Sequence, residues 1–102
     1  MSTVVVATAR VAPEHRDVVR AAFESAVPRV HAEPGCELYA LHEGADRFVL
    51  IERWTDDDAL AVHAAAPALA DLRAALAGRM VGELDIQVLR AIPAGAEQQG
   101  ML

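Results

Sequence analysis

Four side chains in the middle of this chain have the types and spacing for proton chemistry on a bound ligand. Glu52 and Trp54 stand two apart in the run Phe48-Val49-Leu50-Ile51-Glu52-Arg53-Trp54, and on a strand that spacing means one face. A carboxylate set between Leu50 and Trp54 needs a partner, and burial there raises its pKa. An arginine or a helix end as partner would make Glu52 structural, whereas a ligand would make it an acid or base. His63 follows at an inward helical position, where an imidazole either satisfies itself within the core or takes a proton near neutral pH. Trp54, the only tryptophan, either packs the end of the sheet or walls a site for a planar ligand. Tyr39 brings a phenol into an apolar strand, with the same two readings.

Other chemistries are poorly supplied. The sequence has no Gly-rich phosphate loop, no C-x-x-C, no H-E-x-x-H and no G-x-S-x-G. His15, His31, His42 and His63 lack ligand spacing, and the lone Cys36 does not complete a zinc site. Cys36 also lacks a basic neighbour to hold a thiolate. Fifteen acids against nine bases give a formal charge of −6, which repels nucleic acid and anionic membrane surfaces. One cysteine rules out an intramolecular disulfide and suits a reducing compartment. The apolar run Val4-Val5-Val6-Ala7 is too short for a signal peptide, and no segment approaches the roughly 20 apolar residues of a membrane span. A cytoplasmic location is expected.

The elements that must position these residues can be read from periodicity and punctuation. Residues 3–11 are β-branched and apolar on both faces, which marks a central strand. Pro13 opens a helix on which Val19, Ala22, Phe23, Ala26 and Val30 recur at helical spacing. Pro28 inside that run predicts a kink or break near residues 24–27. Glu33-Pro34-Gly35-Cys36 stops the helix in a type II turn, since Pro fixes one dihedral and Gly accepts positive φ. Strands at 36–43 and 47–54 form a hairpin around Gly44, with the register between Tyr39 and Glu52 left open. Thr55, with an acid three residues on, is expected to cap the next helix, and Asp56-Asp57-Asp58 reads as its solvated N-terminus. Pro67 restarts the helix with Leu69, Leu72 and Leu76 inward, and Gly78 ends it. A last strand spans residues 83–91. The order β-α-β-β-α-β predicts a ferredoxin-like α+β domain, an antiparallel sheet with helices on one face. The other face carries Val49 and Ile51, so a second copy of the chain is expected to cover it. One domain takes up residues 1–93, and residues 94–102 form a tail that is flexible or reaches the partner subunit.

The opening strand, Glu33-Pro34-Gly35-Cys36 with Tyr39, the run from Phe48 to Trp54, then Ala59-Leu60, His63 and Pro67 together resemble the antibiotic biosynthesis monooxygenase family. The resemblance spans about residues 3–93. It implies a dimeric α+β barrel with a small apolar pocket between sheet and helices in each subunit. It also implies oxygenation of a phenol or quinol by O₂ without flavin, haem or metal, the substrate anion itself reducing oxygen. Within that pocket Trp54 and Tyr39 would shape the wall, Phe48 and Leu60 would line it, and His63 or Glu52 would take the phenolic proton. The haem-degrading branch of the fold relies on an Asn on the first strand, a Trp ending the third and a His on the later helix. Trp54 matches, but the first strand offers only Val, Ala, Thr and Arg, and Arg73 stands about where that His would fall. Two rivals share the pocket: a non-catalytic small-molecule-binding dimer, and a cyclase-like enzyme that converts its substrate without consuming O₂.

Overall fold

The described residues, 2–102, come from a computed structural model. Its framework is the two strands that are apolar on both faces. β1 (Thr3–Arg10) lies inside the sheet, between β3 (Arg47–Trp54) and β4 (Asp85–Arg90), while β2 (Cys36–Glu43) forms the opposite edge. All neighbours are antiparallel, and the order β2-β3-β1-β4 is that of a ferredoxin-like α+β fold. Along β3 burial alternates residue by residue, with Phe48, Leu50, Glu52 and Trp54 inside and Val49, Ile51 and Arg53 half-buried on the other face. Three helices cover the inner face: α1 (Arg16–His31), α2 (Asp57–Ala64) and α3 (Pro67–Leu76). Their buried stripes, Val19, Phe23, Ala26 and Val30 on α1 and Leu69, Leu72 and Leu76 on α3, close the core over β1 and β3. Burying one such Leu or Phe side chain stabilises the fold by about 1.5–3 kcal/mol, so this stripe is what holds the helices to the sheet.

Some expectations from sequence give way here. A 3₁₀ turn at Pro13–His15 precedes α1, and α1 then runs unbroken through Pro28. Pro28 lies on the exposed side near the helix end, and Glu24, whose carbonyl loses its usual partner, is exposed too. Water can serve that carbonyl, so no break is needed. The cap of α2 is Asp56, whose side chain accepts from Ala59 N–H at 2.8 Å, and not Thr55. Thr55 is held instead by the 33–35 turn, its N–H donating to Gly35 O at 2.9 Å. β4 is shorter than expected, and every residue in it is exposed. The tail after Pro93 ends in a short turn of helix, α4 (Glu97–Gly100). No single helix among the described residues is long and apolar enough to cross a membrane.

Candidate functional site

The site is built where β2, β3 and α2 meet, and a bulge in β2 shapes it. Cys36 pairs with Trp54 and Leu38 with Arg53, so Glu37 is the extra residue. The slip puts Cys36 and Tyr39 on the same inward face, with Tyr39 opposite Glu52, settling the register that turn length had left open. On the other side, Asp57 accepts from Thr3 Oγ1 at 2.6 Å and pairs with Arg90 at 2.7 Å. These contacts seat the first turn of α2 over β1 and β4. One and a half turns on, the helix delivers His63 to the core, only 4% exposed.

There His63 stacks on Trp54, with ring centroids 4.5 Å apart and planes at 28°, and meets Tyr39 edge-on at 5.6 Å. Trp54 Nε1–H donates to Glu52 Oε1 at 2.9 Å. The fifth member is Glu33, in the turn after α1: its Oε1 lies 2.6 Å from His63 Nδ1, while Oε2 is buried with no partner. Burial, above all, pushes Glu52 up to about 7, and the Glu33 charge adds to this while the Trp54 hydrogen bond opposes it. Glu52 therefore changes protonation near neutral pH. Burial, reinforced by the charges of Glu52 and Glu33, drives the Tyr39 phenol well above its usual range, so it remains a hydrogen-bonding phenol. Burial followed by Glu33 and Glu52 also raises the Cys36 thiol, which argues against a nucleophilic role.

Tyr39, Glu52, Leu60 and His63 open onto a cavity of about 220 Å³ between sheet and helices, otherwise walled mainly by apolar side chains of β1, β4 and α3. Two candidates stand elsewhere. Trp54 is fully buried behind His63 and Glu52, touching both, and does not form the cavity wall. Phe48 packs at the other end of β3, 5.7 Å from Phe23 and beneath the Arg16 guanidinium at 5.0 Å. Two charged residues, one lining the cavity and one behind it, were not among the site residues read from the sequence. Arg73 of α3 lines the cavity and has no ion-pair partner among the described residues. Glu33 had registered only as part of a turn, and the one hint of its role was that a buried histidine needs a partner. Among the described residues no three His, Cys, Asp or Glu side chains come together so as to hold a metal ion.

The arrangement is a proton-handling group at the end of an apolar cavity: an imidazole backed by one carboxylate, a second carboxylate titrating near neutrality, and a phenol. Comparison with known proteins agrees with the ferredoxin-like fold. The sequence profile of the family described as "Antibiotic biosynthesis monooxygenase" matches residues 2–75. A Mycobacterium tuberculosis protein named "Putative monooxygenase Rv0793" is 36% identical over 74 residues, 71% of this chain and 68% of the relative. Its solved structure superposes with a TM-score of 0.86 at 26% identity, covering 94% of this chain and 100% of that one. A Caulobacter crescentus structure described as a putative antibiotic biosynthesis monooxygenase gives 0.83 at 27% identity, over 90% and 91% of the two chains. This chain belongs to the antibiotic biosynthesis monooxygenase family.

Proposed function

We propose that this protein is a cofactor-independent monooxygenase that oxidises an aromatic phenol or quinol with O₂. The observation that carries the reading is the buried Glu33–His63–Tyr39–Glu52 group at the end of an apolar cavity. An apolar slot holds a flat ring, and an acceptor at its end takes the ring's hydroxyl proton. The phenolate so formed is electron-rich enough to pass electrons to O₂ itself. In the overall balance a phenol with a free ring C–H gains one oxygen atom as a second carbonyl. The other oxygen leaves as water with the two hydrogens, giving a quinone.

His63 or Glu52 takes the proton, Tyr39 contacts the ligand, and Leu60 lines the slot. Trp54 acts from behind, holding His63 by stacking and Glu52 by its N–H, and Phe48 serves the core. The working unit in this proposal is a cytoplasmic homodimer. Its support is the outer sheet face, where Val6, Val49 and Ile51 are only half-buried and no helix packs, together with a β4 strand exposed along its length.

Oxygen uptake with a panel of quinols and naphthols tests the activity. The expected result is uptake of one O₂ per substrate, catalysed above autoxidation by the wild type and reduced about 10²–10⁴-fold in His63→Ala. Tight binding without catalysed uptake would overturn it in favour of a binding protein. Conversion without O₂ would favour a cyclase.

A further inference from the structure

Glu33 does not line the cavity, yet the local fold is organised to hold it against His63. Its N–H donates to Val30 O at 2.9 Å, which closes the end of α1, and its carbonyl accepts from Cys36 N–H at 3.3 Å. Gly35, at φ +77°, sits so close to α2 that an added Cβ would lie 2.5 Å from the Ala59 Cβ. Turn and helix are thus locked together, Glu33 on one and His63 four residues beyond Ala59 on the other. The resulting contact is 2.6 Å between groups that are both largely buried, with side-chain exposures of 12% and 5%. His63 Nδ1 is committed to it, and Nε2 has no hydrogen-bond partner among the described residues, although the ring borders the cavity.

We propose that Glu33 is the positioning residue of the site: by accepting Nδ1–H it fixes His63 in the tautomer whose bare Nε2 is presented to the cavity as the acceptor of the ligand's hydroxyl proton. The proton step then balances simply. The ligand O–H bond breaks, the proton bonds Nε2, and the electron pair stays on the ligand oxygen. The positive imidazolium forms between two negative groups, the Glu33 carboxylate behind and the new phenolate in front. The buried Oε2 of Glu33 fits this role, since a half-satisfied buried carboxylate gains most when the ring beside it becomes charged. Around the pair stand Tyr39 and Cys36 from β2, Glu52 from β3 and, at the cavity, Arg73 from α3.

The identity of the proton donor rests on the oxygenase reading, but the tautomer belongs to the resting protein and can be measured apart from activity. Nitrogen-15 NMR of His63, taken where the ring is neutral, should show Nδ1 protonated and Nε2 bare. In Glu33→Gln the side-chain amide can present either its oxygen or its NH₂ to Nδ1. The signals should then shift toward the Nε2–H tautomer, and kcat should fall about 10²–10⁴-fold with KM changed little. A wild-type ring protonated at Nε2 overturns the proposal, and that measurement decides it even if the variant does not fold. A folded Glu33→Gln with unchanged tautomer and kcat also overturns it. The expected wild-type tautomer, lost in Glu33→Gln, in a protein that takes up no oxygen supports the positioning role and overturns the oxygenase reading.

Discussion

Glu52 shows how burial turns a common side chain into one that titrates at neutral pH. It is 3% exposed, its one side-chain hydrogen bond among the described residues comes from Trp54 Nε1–H, and its pKa is pushed up to about 7. In the unfolded chain a glutamate titrates near ~4.3, so between that pH and about 7 the folded state binds the extra proton. Stability therefore falls as pH rises through this window, and above it the charged, buried carboxylate opposes folding in full. Glu52→Gln keeps the shape and an oxygen for Trp54 to bond. It should leave stability unchanged at pH 4 and raise it by roughly 1–3 kcal/mol at pH 8. Urea titrations at the two pH values read this directly, and equal stabilisation at both would show that Glu52 does not ionise in the window. A gain in stability paired with loss of activity would mark Glu52 as kept for function.

At the scale of elements, the Glu33-Pro34-Gly35 turn matters more than its place in a loop suggests. Gly35 meets two demands, a positive φ and near-contact with Ala59, and any side chain fails both. Gly35→Ala should destabilise the fold by at least about 2 kcal/mol, from backbone strain and overpacking together. Thermal melts measure that loss, and a change under about 0.5 kcal/mol would mean that the turn and α2 are not tightly docked. The turn was legible in sequence because Pro-Gly punctuation is local. The cap of α2 was read one residue early, at Thr55, because Thr and Asp are both good caps and only the Gly35 contact diverts Thr55. Pro28 misled in the opposite way. Its penalty depends on whether the freed carbonyl is buried or wet, and here the stripe of Val19, Phe23, Ala26 and Val30 leaves Glu24 and Pro28 outside the core.

On the scale of the whole molecule, the outer sheet face leaves Val6, Val49 and Ile51 only half-buried. Ile51 sits on β3 between Ala40 and Val6, near the middle of a surface that no helix covers. For the proposed dimer, Ile51→Glu places a charge in the centre of the interface, and an unpaired buried charge is strongly destabilising there. Sedimentation velocity at micromolar concentration should show wild-type dimers and Ile51→Glu monomers with unchanged circular dichroism. Were the face solvated, the substitution would shift neither mass nor stability beyond about 0.5 kcal/mol, and wild-type monomers would refute the dimer outright.

The sequence by itself determined the order of elements, the two central strands and the faces that Glu52, Trp54 and His63 present. These depend on periods of two and 3.6 residues, on Pro and Gly, and on where charge is absent, all of which act over a few residues. It also carried the family resemblance, because the Glu33-to-Cys36 turn, the Phe48-to-Trp54 strand and His63 occur in order along the chain. Tertiary structure alone decided that Glu33 reaches His63, thirty residues away, and that Trp54 stands behind the cavity wall while Phe48 lies outside its lining. Those facts depend on how the β2 bulge and the docking of the 33–35 turn on α2 set elements against one another. Such contacts join residues distant in sequence, and no local pattern along the chain encodes the distance between them.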